Sequence, residues 1–117
     1  PREIAGSVEI MRTLKSKGYP IYALTNYSRE KLELASKKFA ILTEFDGMVV
    51  SSDVGYVKPE PKIYKILLEK FNITPDESIF IDDRPENIDS AKSLGIHGIN
   101  FTSANQLRND LQSLDIL

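Results

Sequence analysis

The sequence predicts an α/β fold, a parallel sheet with helices packed on both faces. Three observations predict it. Helical and strand-like patterns alternate along the whole chain, in the order α-β-α-β-α-β-α-β-α. Strand-like runs such as Ile79-Phe80-Ile81 are apolar without alternation, as in strands covered on both faces. Polar residues gather where these runs end, at Thr25, Ser51 and Asp82-Asp83. In a parallel sheet those ends share one edge, and ligands bind outside that edge.

The elements follow in order. Ile4, Val8, Met11 and Leu14 recur at helical spacing, with Lys15 and Lys17 in the last turn and Gly18 at the stop. Ile21 to Leu24 reads as a strand. A helix runs from about Arg29 to Phe39, with Ser28 as N-cap and Leu32, Ala35 and Phe39 inward. A second strand starts at about Gly47 and ends at Val50. Ser51 to Pro61 reads as a loop, rich in Ser, Gly, Asp and Pro. Pro61 suits the first turn of a helix through about Phe71, with Ile63, Leu67 and Phe71 on one face. The third strand covers Glu77 to Asp82. Asp83 with Glu86 forms a capping-box pattern that opens a helix from Pro85 to Leu94, with Ile88, Ala91 and Leu94 inward. Gly98 to Phe101 is the last strand. Ser103 with Gln106 is a second capping box, opening a helix through about Leu114.

Composition narrows the class. A chain of 117 residues reads as one domain, and 41% hydrophobic with 27% charged residues is an ordinary globular mixture. A net charge of −2 argues against a nucleic-acid binder held by bulk charge. The absence of cysteine excludes a disulfide framework, a thiol nucleophile and a Cys-based zinc site within these residues. No apolar run approaches a membrane span, so no membrane partner is expected and a cytoplasmic setting is. The chain opens at Pro1, directly in a helical pattern and with no initiator Met. A truncated or processed chain is therefore expected.

Adjacent carboxylates at Asp82 and Asp83 repel, and burial adds desolvation. A cation, a lysine or helix N-terminal N–H groups would offset that cost. Candidate partners converge on the same edge. Thr25 and Asn26 end one strand, Lys58 lies in the loop after another, and Asn87 sits four residues beyond Asp83 on the next helix. Hydroxyl, carboxamide and ammonium groups donate well to phosphate oxygens, and carboxylates suit a hard cation such as Mg²⁺. Alone, each has an ordinary explanation: Thr25 and Asn26 as turn residues, Lys58 as a solvated lysine, Asn87 as a helix-surface amide. His97 has no evident partner and reads as structural. Tyr56 and Tyr64 could line a pocket, though aromatics near helices are more often core.

Order and spacing together carry more. Leu24-Thr25-Asn26, then Lys58-Pro59-Glu60-Pro61-Lys62-Ile63-Tyr64, then Ile79 through Asn87 with Ala91, Leu94 and Gly95, resemble the second, third and fourth motifs of the haloacid dehalogenase superfamily. The Asp-Asp-Arg-x-Glu-Asn form is similar to the subgroup of sugar-phosphate phosphatases and the N-terminal phosphatase domain of soluble epoxide hydrolases. The resemblance implies a Rossmann-like core and assigns roles. Thr25, helped by Asn26, binds the transferring phosphoryl group. Lys58 stabilises phosphate and nucleophile charge. Asp83 is a Mg²⁺ ligand. Asp82 and Asn87 orient Lys58, and Asn87 joins Asn26 in the substrate-binding set. Such roles agree with the needs of phosphoryl transfer, which are charge neutralisation and in-line positioning.

The family's first motif, Asp-x-Asp ending its first strand, is absent, as is the helical cap inserted after it. The resemblance places that strand between those ending at Thr25 and Asp83, so the sheet is expected to lack a central strand and to expose unpaired edges. The leading expectation is a Mg²⁺-dependent phosphohydrolase acting on a small phosphorylated metabolite through a phospho-aspartyl intermediate. It requires an N-terminal part of the same protein, and the 117 residues alone are expected to be inactive. A 2-haloacid dehalogenase is the alternative enzyme, disfavoured because those enzymes tend to lack the metal-binding carboxylate of the fourth motif. A non-catalytic binding module is the alternative outside catalysis. A response-regulator receiver also gathers Asp, Thr and Lys at a sheet edge, but its acidic pair comes first in the chain, and here it comes last.

Overall fold

Helix α1 spans Arg2–Ser16 and is followed by Gly18, whose φ of 92° lies where glycine alone is unstrained. The computed structural model describes the backbone of residues 2–117 and the side chains of residues 5–117. Ile4, expected on the inner stripe of α1, lies outside the described side chains. Among the described side chains of this helix, Ile10 and Leu14 are buried, with Val8 and Met11 half-buried.

Strand β1 is Tyr22–Thr25 and helix α2 is Arg29–Lys38. The Ser28 hydroxyl caps α2 by accepting the Lys31 N–H at 3.2 Å. Leu32 is its buried residue, while Ala35 and Phe39 are half-buried. A 3-10 turn at Ala40–Thr43 leads to strand β2, Gly47–Val50. Gly47 is required by close packing, because a Cβ there would lie 2.3 Å from the Phe71 ring. Ser51–Val54 then forms a one-turn helix, α3. The sequence predicts only loop here; the turn closes because the Gly55 N–H donates to Ser51 O with Gly55 at φ 81°.

Helix α4 is Pro61–Lys70, and Ile63, Tyr64 and Leu67 are buried on it. Tyr64 is therefore core, and Tyr56 is exposed. A 3-10 turn at Pro75–Glu77 precedes strand β3, Ile79–Asp82. Helix α5 is Pro85–Ser93, strand β4 is His97–Asn100 and helix α6 is Ala104–Ser113. The Ser103–Gln106 capping box of α6 forms as expected. The Asp83–Glu86 box does not. The N-cap of α5 is Arg84, without a side-chain cap, because the carboxylate that reaches this turn is Asp82, which accepts the Arg84 N–H at 2.9 Å.

All pairing among the described residues is parallel, giving the α/β architecture. β1 pairs with β2, from Tyr22 opposite Gly47 to Thr25 opposite Val50. β3 pairs with β4, from Ile79 opposite His97 to Asp82 opposite Asn100. The two pairs are separate, with no ladder joining β1 to β3. Each half therefore keeps an unpaired strand edge, as expected for a sheet that lacks a central strand.

Apolar clusters hold the layers together. One gathers Ile10 and Leu14 of α1, Ile99 of β4, and Ala104, Leu107 and Leu111 of α6. The other gathers Val49 with Ile63, Tyr64 and Leu67 of α4 and Ala91 of α5, and draws in Tyr22, Leu24 and Phe80. This second cluster touches both strand pairs. β3 departs from expectation, since Ile81 is 37% exposed. Ile79, on the same strand face, reaches the α1–α6 cluster. Ile81 lies two residues nearer the strand end, beyond that cluster, on a strand with one unpaired edge.

Candidate active site

The strands deliver four polar groups to their C-terminal edge. Thr25 ends β1, and its Oγ1 accepts the Tyr27 N–H at 3.0 Å. Accepting through oxygen leaves the Thr25 hydroxyl proton available to donate. Asn26 follows, and both ends of its carboxamide are engaged. Its Oδ1 accepts the Lys58 N–H at 2.8 Å, and its Nδ2 donates to Lys58 O at 3.2 Å.

Lys58 crosses from one half of the molecule to the other. Its backbone is held by Asn26, after β1, and its Nζ donates to Asp82 Oδ2 of β3 at 2.8 Å. The pair is largely shielded, with side-chain exposures of 14% for Lys58 and 8% for Asp82. Asn87, 3% exposed, adds a hydrogen bond from Nδ2 to the same Asp82 oxygen at 3.2 Å. Burial pushes the Asp82 carboxyl up. Hydrogen bonds from Lys58, the Arg84 N–H and Asn87, with the Lys58 charge, outweigh burial and hold it below the ordinary carboxylate range.

The two aspartates thus part company. Asp82 points inward and has its oxygens engaged by Lys58, Asn87 and the Arg84 N–H. Asp83 is exposed, and its carboxylate has no hydrogen-bond or ion-pair partner among the described residues. Asp82 ends β3 and Asp83 lies in the bend that follows, so the two carboxylates sit in different surroundings.

Two supporting residues were not assigned to the site from sequence. The Tyr64 hydroxyl donates to Asn87 O at 2.7 Å from a fully buried ring. Burial, then the Asp82 charge, push its pKa up to about 12. The Ser90 hydroxyl donates to Pro59 O at 2.6 Å. Ser90 sits one turn after Asn87, on the same helix face, and that spacing is the only signal the sequence carries. His97 does have a partner: Nε2 lies 3.1 Å from Asp76 O.

The donors fit part of a Mg²⁺ site. Asp83 offers a hard carboxylate just past the C-terminal end of β3. No cluster of three or more His, Cys, Asp or Glu side chains able to hold a metal occurs among the described residues. Mg²⁺ is commonly bound by one or two carboxylates plus phosphate oxygens and water, so Asp83 suits one ligand position of a site completed by other groups.

A family model described as haloacid dehalogenase-like hydrolase matches residues 2–95, the stretch that carries Thr25, Lys58, Asp82, Asp83 and Asn87. The chain belongs to the haloacid dehalogenase-like hydrolases. Its relatives in this family include flavin mononucleotide hydrolase 1 of Arabidopsis thaliana, 32% identical over 95% of this chain and 45% of the relative. They also include a phosphorylated carbohydrates phosphatase of Thermotoga maritima, 32% identical over 84% of this chain and 45% of the relative. Among solved structures, a haloacid dehalogenase family enzyme of Bacteroides thetaiotaomicron, in an Asp-to-Ala mutant complexed with magnesium and inorganic phosphate, is 28% identical. It superposes with a TM-score of 0.71 over 83% of this chain and 53% of that one. The chain spans about half the length of each of these three proteins.

Proposed function

We infer that this chain forms the phosphate-binding and charge-balancing part of a Mg²⁺-dependent phosphate-monoester hydrolase. The observation that carries the reading is the shielded Lys58–Asp82 pair at 2.8 Å on the C-terminal strand edge; the Thr25 hydroxyl, at the same end of β1, is free to donate. The phosphatase and phosphate-complexed relatives support it.

Each residue then has a task. The Thr25 hydroxyl donates to a phosphate oxygen. Lys58 spends one ammonium proton on Asp82 and has two more for oxygens that gain charge during transfer. Asp82, with Asn87 behind it, balances the charge of that ammonium and aims it. Asp83 supplies a carboxylate oxygen to Mg²⁺, which when bound neutralises phosphate charge. The reaction is a two-step transfer in which phosphorus passes to an aspartate and then to water, with the alcohol released. The Asp-x-Asp motif that supplies the nucleophile in this family does not occur in these 117 residues. The reading assigns it to a strand of the same protein, inserted between β1 and β3 and meeting both unpaired edges. A small phosphorylated metabolite is the substrate class that the reading proposes.

The test is a phosphate-ester screen of the intact protein with Mg²⁺. Turnover that stops on chelation is the expected result. Chelator-resistant release of halide from a 2-haloacid would instead establish the dehalogenase reading. The 117 residues alone should not turn over a generic phosphate ester, and robust turnover by them would remove the need for the inserted strand.

A further inference from the structure

Lys58 is unusual in how its backbone is held. Here the amide N–H and the carbonyl of Lys58 are both bound by one side chain, Asn26, at 2.8 and 3.2 Å. The next carbonyl, Pro59 O, is bound by Ser90 at 2.6 Å. These anchors come from opposite halves of the split sheet. Asn26 follows β1, 32 residues earlier in the chain than Lys58. Ser90 lies on α5, which follows β3, and is 31 residues later than Pro59. The loop is tightened from within as well, since Glu60 Oε1 accepts the Val57 N–H at 2.9 Å.

We propose that Asn26 and Ser90 are positioning residues for Lys58, forming a two-sided backbone clamp that fixes how far its ammonium reaches across the gap between the strand pairs. A carboxamide engaged at both ends with peptide groups is poorly placed to donate to phosphate as well, so this assignment replaces a direct phosphate contact by the Asn26 side chain. The clamp matters because the ammonium must serve Asp82 and an incoming phosphate together. A displacement of about 1 Å in such a group is enough to cost on the order of 100-fold in rate. The catalytic meaning of the clamp rests on the phosphate-site reading above; the clamp itself does not.

A double-mutant cycle in the intact protein separates the two roles, with affinity for inorganic phosphate measured by ³¹P NMR. Asn26→Ala is expected to weaken phosphate binding about tenfold, and to have under about twofold effect in a Lys58→Ala background, because it acts through Lys58. Additive losses would make Asn26 a phosphate ligand and overturn the proposal. Ser90→Ala should follow the same non-additive pattern with a smaller effect, about threefold, and Ser90→Thr, which keeps the hydroxyl, should restore binding. A second measurement needs no ligand. Exchange of the Lys58 amide proton should speed about tenfold in Asn26→Ala and stay slow in Asn26→Asp, which keeps the acceptor. Exchange unchanged in Asn26→Ala overturns the clamp. Failure of the phosphatase reading looks different: the wild-type protein would bind no phosphate, while the exchange comparison would still decide the clamp.

Discussion

Two ion pairs sit at opposite ends of the strands, and they are close to equal in length. Arg12 on α1 meets Glu44, just before β2, at 2.6 Å, and Lys58 meets Asp82 at 2.8 Å. Their surroundings differ. Arg12 and Glu44 keep 57% and 33% of their side-chain surface in water, whereas Lys58 and Asp82 keep 14% and 8%. The Glu44 carboxyl is held below its ordinary range mainly by its bond from Arg12. Asp82 answers to three donors and sits on a buried Asn87 that is itself held by Tyr64. Length therefore says little about what a pair contributes. Solvent and the number of dependent groups decide, because water screens the exposed pair and replaces either partner at low cost. The shielded pair has no such substitute.

Breaking the shielded pair should produce the largest effect. Asp82→Ala leaves the Lys58 ammonium unpaired and is expected to cost about 3–5 kcal/mol, read from urea unfolding, together with phosphate binding. Asn87→Ala comes next, at about 1–3 kcal/mol, because it withdraws one donor from Asp82 and leaves a cavity. Tyr64→Phe should cost about 0.5–1.5 kcal/mol, since only one buried hydroxyl bond is lost. Tyr64 also makes a pH prediction. Its folded pKa, about 12, is raised. Its contribution is therefore complete below the ordinary tyrosine pKa and is lost as pH climbs from there towards 12. In an ultraviolet titration, one of the five tyrosines should ionise last, and that late step should vanish in Tyr64→Phe. Glu44→Gln should have the smallest effect, leaving the urea midpoint nearly unchanged, and added salt should erase what difference remains. If Glu44→Gln destabilised as much as Asp82→Ala, the contrast between the two pairs would be wrong.

Much of the molecule is legible in the residues taken in order. The alternation of helix and strand patterns gave the element order, and Ser28, Ser103 and Gln106 announced their caps. Thr25, Lys58 and Asp82 were placed at one edge by the rule that parallel strands end together, and the Lys58–Asp82 and Asn87–Asp82 contacts follow that placement. The readings that did not hold share a cause. The Asp83–Glu86 box fits the local pattern, yet Asp82 supplies the bond to the Arg84 N–H. The Ser51 loop contains a turn of helix closed by Gly55. Ile81 looked like the interior of a covered strand, but it is 37% exposed near the strand end.

The sequence by itself determined what is local: periodicity, caps, breaks and the residue types that arrive at the strand ends. These depend on neighbours within a few positions, which a linear pattern records. Only the tertiary structure decided which of two adjacent carboxylates turned inward and that one carboxamide would grip a backbone 32 residues away. Those outcomes depend on which surfaces meet and which polar groups must be satisfied once water is gone, and no spacing along the chain encodes them.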